Sequence, residues 1–131
     1  AQRQAEFVSQ RAQAGRVGLV LCRGEPGEGV DRLVLVTGSA PDALAELPAP
    51  DAVFIGGGLG EELLTTLWRL LPAGCRVVAH AVTLESEALL AAWQARAGGS
   101  LWRIELSEAA PLGARRGWHA AYPVVQWSVT R

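Results

Sequence analysis

The middle of the chain alternates short apolar runs with amphipathic segments, and this alternation restricts the fold more than any other feature. Ala52 to Ile55 and Arg76 to Ala81 are typical of buried strands. Glu61 to Leu71, with leucines at helical spacing, and Leu84 to Ala97 are predicted helices. Strands and helices in this order form right-handed crossovers. The sequence therefore predicts an α/β domain with a mostly parallel sheet covered by helices on both faces.

Four further elements are predicted before this region. Gln2 to Ala14 has small and apolar residues on one helical stripe, which indicates a helix. Val17 to Cys22 and Leu33 to Val36 are apolar runs that suit strands. Pro41 to Leu47 is predicted as a short helix, because proline is favoured in a first turn.

The last third of the chain has a different pattern. Leu101 to Leu106 alternates between apolar and polar residues, and Val125 to Val129 does the same. Two alternating strands with no helix between them are expected to pair antiparallel. The length of 131 residues fits one domain, residues 1 to 131, with a core of its own.

Composition argues against several classes of protein. Half of the residues are hydrophobic and 19% are charged, which is typical of a globular chain rather than a disordered one. The net charge of -1 gives no indication of a nucleic-acid partner. The basic residues are all arginines, which excludes a lysine Schiff base. No apolar run approaches the ~20 residues that span a bilayer, and no signal peptide is visible, so we expect a soluble, cytoplasmic protein without a membrane partner.

The two cysteines are far apart in the sequence. Cys22 and Cys75 each lie in an apolar run. Two isolated thiols make neither a zinc site nor a disulfide framework. We expect both to be buried and reduced, and we expect no metal site.

Several loops follow predicted strands and so lie at the carboxyl edge of the sheet, where open α/β folds bind ligands. Gly56, Gly57 and Gly58 allow backbone N–H groups to approach an anion closely, or they form a tight turn with no ligand. Thr83 is an obvious N-cap for the helix that follows it, and its position also points into a cleft. Ser39 could be an ordinary N-cap as well.

In their order and spacing, these segments resemble the decarboxylating precorrin methyltransferases of cobalamin biosynthesis. The resemblance extends from Leu33 to the C-terminus. It is carried by residues 38–44, 50–58 and 79–90 and by a tail with Pro111-Leu-Gly, Gly117-Trp118 and Pro123-Val-Val-Gln-Trp127. It implies a Rossmann-like class I methyltransferase fold that ends in an antiparallel strand pair and lacks its N-terminal strands.

The same resemblance implies an activity and partners. Family members methylate a precorrin with S-adenosyl-L-methionine as cofactor, and they decarboxylate the ring-C acetate. The small family members act at C-15, whereas fused chains act at C-5 and C-15. We therefore expect C-15 methylation with decarboxylation, a homotetramer, and a tetrapyrrole methylase domain fused upstream.

The resemblance also assigns roles to residues. It implies cofactor binding by Gly38, Ser39, Ala40 and Gly56. It implies catalytic roles for Thr83 and Glu85, through hydrogen bonds to substrate side chains and protonation of the carbon left by decarboxylation. It implies substrate binding by Gly57, Gly58, Arg116 and Trp118.

Other polar and aromatic residues are open to two interpretations. His80 stands where the family is expected to have asparagine, and a packed, hydrogen-bonded histidine is favoured over a catalytic one. Arg115 and His119 could contact a substrate carboxylate or lie in a solvated loop. Trp127 could line a macrocycle, but the tetramer implied by the resemblance favours a subunit interface.

One expected feature is missing. The glycine-rich loop after a first strand and the acid after a second strand are not found where a class I methyltransferase needs them. Gly24 to Gly29 is a poor substitute, since Pro26 removes an amide donor and no helix follows. The sequence is either a piece of a longer protein, which its start at Ala1 favours, or a shortened protein that serves assembly or tetrapyrrole binding without catalysis. A nucleotide-binding Rossmann domain of another class is a weaker alternative.

Overall fold

The computed structural model describes the backbone of three N-terminal strands and every residue from 49 to 131. The structure contains nine strands and two helices in these ranges. In chain order they are β1 (Ala5–Ala12), β2 (Gly15–Cys22), β3 (Leu33–Thr37), β4 (Ala52–Gly57), α1 (Glu61–Leu70), β5 (Arg76–Ala81), α2 (Leu84–Ala97), β6 (Ser100–Ile104), β7 (Ser107–Leu112), β8 (Arg115–Ala120) and β9 (Val124–Thr130).

Seven strands form one sheet in the order β3-β1-β2-β4-β5-β9-β6. β4 and β5 are parallel, as the crossover through α1 requires. β9 lies between β5 and β6 and is antiparallel to both. The α/β fold class and the closing antiparallel pair are therefore confirmed.

The N-terminal part of the sheet differs from the prediction. The helix expected over Gln2 to Ala14 is wrong, because the structure has strand β1 there. β1 pairs antiparallel with β2 across a connection of two residues, a length that permits only a hairpin. β2 is also antiparallel to β4, so the sheet is mixed rather than mostly parallel. The helix predicted over Pro41 to Leu47 lies outside the described residues.

A second sheet was not predicted. β7 and β8 form an antiparallel hairpin in which Leu112 pairs with Arg115. The turn between them is Gly113-Ala114, and Gly113 has φ of +59°, which suits the first position of a two-residue hairpin turn. The strands contain no valine, isoleucine or threonine, so their sequence lacks the usual β-strand signal.

The core lies between one face of the sheet and the two described helices. β4, β5 and β9 contribute alternate residues to it, and α1 and α2 contribute one apolar stripe each. Both helices pack on this one face, because the crossovers from β4 to β5 and from β5 to β6 progress in the same direction across the sheet. The prediction that helices cover both faces is therefore not met by α1 and α2. The buried residues include Val53, Ile55, Leu63, Leu64, Leu67, Val77, Ala79, Leu90, Trp93, Val125 and Trp127.

Trp127 belongs to this core, and its assignment to a subunit interface is wrong. Its side chain is 0% exposed. Its ring centroid lies 6.0 Å from those of Trp68 and Trp93, so the three indoles join β9 to both helices. A strand residue whose side chain faces the helices that cover the sheet is buried within its own domain.

Cys75 is buried as expected, and burial raises the pKa of its thiol. The side chain of Cys22 lies outside the described part of the chain. Among the helices that the structure describes, neither is long and apolar enough to cross a membrane.

Candidate functional site

Two of the predicted ligand loops lie side by side at one edge of the sheet. β4 and β5 are in parallel register, with Ala52 beside Arg76 and Ile55 beside Ala79. Their carboxyl ends are therefore adjacent, at the strand spacing of about 4.8 Å. The glycines that end and follow β4 and the loop after β5 that contains Thr83 both open on this edge, which we call the rim.

The strand before the third predicted loop ends at the same edge but farther along the sheet. β3 is parallel to β1, and two antiparallel steps through β2 give β4 the same direction as β3. Thr37, at the end of β3, therefore lies at the edge where β4 ends. β1 and β2 lie between β3 and β4, so the two strand ends are about 14 Å apart. Gly38, Ser39 and Ala40 themselves lie outside the described residues.

The backbone at the end of β4 is open to a ligand. Gly57 pairs with Gly18 and Ile55 with Leu19, so Gly56 is the extra residue of a β-bulge. Bulges redirect the backbone and occur often beside active sites. Gly58 has φ of +69°, a region that glycine adopts without strain. Gly56 and Gly58 are exposed and Gly57 is half-buried.

Thr83 caps α2, as predicted. Its Oγ1 accepts a hydrogen bond from the backbone N–H of Ser86 at 3.2 Å, and its carbonyl accepts from Glu87 at 2.9 Å. Glu85 follows in the first helical turn, where a carboxylate is favoured by the helix dipole. Both side chains are exposed at the rim, so capping leaves them accessible to a ligand.

The hairpin β7–β8 starts and ends at the same edge. β6 runs in the same direction as β5, because both are antiparallel to β9. Ile104, at the end of β6, pairs with Val124, at the start of β9. A hydrogen bond of 2.9 Å from the N–H of Ala121 to the carbonyl of Leu106 closes the base of the hairpin. The hairpin is therefore rooted at the rim.

Arg116 and Trp118 share one face of this hairpin. They are two residues apart in β8 and pair with Pro111 and Ala109 across it. Trp118 is 79% exposed. His119 lies on the other face, opposite Glu108. The structure thus brings Arg116 and Trp118 together, and it roots them at the rim that carries the glycine turn and Thr83.

His80 is hydrogen bonded, as predicted, but it lies outside the helix-covered core. Its Nε2 is 2.8 Å from Oε1 of Gln126, and the two rings of His80 and Phe54 meet edge-on at 5.0 Å. Gln126 was not predicted as a partner of His80. The alternation of buried Val125 and Trp127 places Gln126 on the opposite face of the sheet, and this was the available signal.

Comparison with known proteins identifies the family. The model of the precorrin methyltransferase domain matches residues 7–131. The precorrin-6Y C(5,15)-methyltransferase [decarboxylating] of a Sinorhizobium species is 47% identical over 120 residues, which are 91% of this chain and 28% of that protein. The chain therefore spans about a quarter of the length of this relative.

Solved structures agree. The C-terminal domain of precorrin-6Y C5,15-methyltransferase from Rhodobacter capsulatus is 55% identical with a TM-score of 0.74, over 76% of this chain and 54% of that one. The precorrin 8W decarboxylase of Methanobacterium thermoautotrophicum is 26% identical with a TM-score of 0.62, over 77% and 56% of the two chains. Because the family model matches residues 7–131 and a relative is 47% identical over 91% of the sequence, this chain belongs to the precorrin methyltransferase domain family.

Proposed function

We propose that the chain carries the C-15 methylation and the ring-C acetate decarboxylation of a precorrin, with S-adenosyl-L-methionine as methyl donor. The observation that carries the proposal is the shared rim. Parallel β4 and β5 place an exposed glycine turn beside the exposed first turn of α2. The relatives' names supply the reaction class, since they are decarboxylating precorrin methyltransferases.

For the cofactor, we propose contacts from Gly38, Ser39, Ala40 and Gly56. The bulge at Gly56 fits this role because an exposed backbone without a Cβ permits close approach. When bound, S-adenosyl-L-methionine supplies an electrophilic methyl group on its sulfonium. The chain's own contribution is to hold and orient the ligands at the rim.

For the substrate, we propose that Gly57 and Gly58 offer backbone N–H groups to its carboxylates, while Arg116 adds a guanidinium. Trp118 beside it offers a flat ring for the macrocycle. Decarboxylation breaks the bond between the acetate methylene and its carboxylate and releases CO2, and the electron pair stays on the methylene carbon. In this proposal Thr83 donates a hydrogen bond to a neighbouring side chain of the substrate, and Glu85 transfers a proton from solvent to that carbon.

We also propose that the protein assembles as a homotetramer in the cytoplasm. Support comes from other large apolar side chains that the hairpin and its base leave exposed, namely Leu106, Leu112 and Tyr122. Exposed apolar patches of this kind mark association sites. Leu112→Glu on the hairpin is expected to lower the mass measured by sedimentation without unfolding the monomer, whereas a monomeric wild-type chain would refute the assembly.

In the Sinorhizobium relative, the matched region is 28% of a longer protein. We propose that the complete protein includes an upstream tetrapyrrole methylase domain. The alternative function is a non-catalytic module for assembly or tetrapyrrole binding. Gly24 to Gly29 offers no adequate cofactor loop, which fits either this alternative or a sequence that is a piece of a longer protein.

Calorimetry with S-adenosylhomocysteine separates these two functions. We expect binding by the chain or by a version extended at its N-terminus, and we expect Gly56→Val to weaken it. Gly60→Ala is the matched control, because φ is -153° there and no atom lies within 4 Å of an added Cβ. Absence of binding in both lengths would leave the non-catalytic module, and equal affinity in Gly56→Val would remove the proposed cofactor contact.

A further inference from the structure

His80 lies on the sheet face that α1 and α2 leave uncovered, one residue before the end of β5. Burial alternates along this strand, with Val77, Ala79 and Ala81 facing the helices. Arg76, Val78 and His80 therefore face the other way. The register of β4 and β5 ends at the pair Ile55–Ala79, and both Gly56 and His80 follow directly after it, so His80 lies near the bulge at the rim.

The imidazole of His80 has a defined orientation. Gln126 lies directly across the antiparallel pair with β9, and its Oε1 accepts a hydrogen bond from Nε2 at 2.8 Å. The edge-on contact with Phe54, at an interplanar angle of 84°, fixes the ring from the side of β4. Among the described residues, no group forms a hydrogen bond with Nδ1. A neutral ring that donates from Nε2 has a lone pair at Nδ1.

The surroundings of His80 on this face are uncharged within the described part of the chain. The neighbouring side of β4, β9 and β6 presents groups that do not titrate, which are Phe54, Gly56, Val124, Gln126, Ser128 and Trp102. On its own strand, Arg76 lies at the opposite end. Beyond the rim, Glu85 lies in the first turn of α2. The described groups next to His80 on this face are therefore uncharged.

We propose that His80 binds a carboxylate of the tetrapyrrole substrate through Nδ1, takes up a proton when it does so, and is held in place for this by Gln126 as a positioning residue. The inference rests on the proposed function and adds a specificity residue to it. An anion cannot accept a hydrogen bond from the Nδ1 lone pair, so the contact requires protonation of Nδ1. Because Nε2 already donates to Gln126, protonation leaves the pair with Gln126 intact.

The direction of the pH effect follows from this coupling. Binding that requires a proton on Nδ1 is coupled to proton uptake, so affinity for a carboxylate ligand decreases as pH rises.

Calorimetry at pH 8 with uroporphyrin I, a tetrapyrrole with eight carboxylates, tests the inference. Titrations in phosphate and in Tris, whose ionisation enthalpies differ, give the number of protons taken up. For the wild-type chain we expect net proton uptake on binding. For His80→Asn we expect none, with an affinity about 10-fold weaker at pH 6, the size of one charge-assisted hydrogen bond. Gln126→Leu should lose part of the affinity, since the ring is no longer held.

Ser128→Ala is the matched control, because Ser128 lies on the same strand and the same sheet face as Gln126, two residues farther from the rim. This variant should keep the wild-type affinity for uroporphyrin I and the wild-type proton uptake. Circular dichroism confirms that each variant folds. Equal proton uptake in wild type and His80→Asn would overturn the inference and leave the proposed function in place. A wild-type chain that binds neither uroporphyrin I nor S-adenosylhomocysteine would overturn both.

Discussion

The indole N–H of Trp127 donates a hydrogen bond to the carbonyl oxygen of Gly98 at 2.9 Å. Trp127 lies in the middle of β9, and Gly98 caps the C-terminus of α2, where its own N–H bonds the carbonyl of Gln94. The bond satisfies the polar atom of a completely buried ring with an acceptor at a helix end. It links the strand inserted between β5 and β6 to the helix that connects those two strands.

Trp127→Phe should destabilise the chain. The change leaves the Gly98 carbonyl without its donor and reduces the volume of a buried side chain. Together these effects cost about 2–4 kcal/mol. Urea unfolding followed by far-UV circular dichroism measures the loss. Trp102→Phe, at a 63% exposed position of the edge strand, is the control and should change stability by no more than about 0.5 kcal/mol.

Gly99→Ala should be more destabilising than Gly98→Ala. Both glycines have positive φ, +75° at Gly98 and +85° at Gly99, so alanine is strained at either position. At Gly99 an added Cβ would also collide with the backbone oxygen of Ser128, whereas nothing lies within 4 Å at Gly98. The difference between the two midpoints in urea isolates the collision. Equal urea midpoints for the two variants would show that β9 moves away from the added Cβ without loss of stability.

Glu61 should make stability depend on pH in the acidic range. Its carboxylate accepts hydrogen bonds from Arg96 at 3.2 Å and from the indole of Trp93 at 3.1 Å. The bond from Arg96, and then that from Trp93, lower the pKa of Glu61. The ionised form therefore adds stability at neutral pH, and this is lost as pH falls through the folded pKa, below about 4.5.

The measurement for Glu61 is the urea midpoint of wild type and Glu61→Gln between pH 7 and pH 3. We expect a small difference at pH 7, because the pair is exposed and screened, and a smaller one at pH 3. Glu62→Gln controls for the loss of a charge in the same helical turn. A difference that grows as pH falls would contradict the assigned direction.

Thr83 is expected to combine two roles that variants can separate. Thr83→Ala removes the cap on Ser86 and should cost about 1 kcal/mol. Thr83→Asn retains a capping oxygen, so its stability should stay near that of wild type. If the hydroxyl also contacts substrate, the precorrin product of Thr83→Asn forms more slowly although the chain is stable. Mass spectrometry follows both steps, because the product gains a methyl group and loses CO2. A wild-type rate of product formation in Thr83→Asn would show that Thr83 acts only as a helix cap.

Hydrophobic periodicity predicted the region from β4 to α2 because local pattern and tertiary packing agree there. Strands with short apolar runs and a leucine stripe at helical spacing have one compatible arrangement. β1 shows the opposite case. Its alanines and valine recur at helical spacing, and pairing with β2 and β3 overrides that local preference. The hairpin β7–β8 was not predicted, because its residues have little β-strand preference.

The candidate site was predictable to the same degree. The rule for the carboxyl ends of parallel strands placed Gly56 and Thr83 at one edge. The pair of His80 and Gln126 was not predictable, since these residues are 46 positions apart and meet only through the register of β5 and β9. The buried position of Trp127 likewise depends on which sheet face the two helices cover.

The amino-acid sequence by itself determined the α/β class, the family and the loops that could bind ligands, because these depend on local periodicity and on residue order. The tertiary structure decided the strand order, the face of the sheet that is covered, and the partners of His80 and Trp127. These depend on pairing between distant segments. A shift of one residue in strand register would exchange the two faces of the sheet, and no local pattern records it.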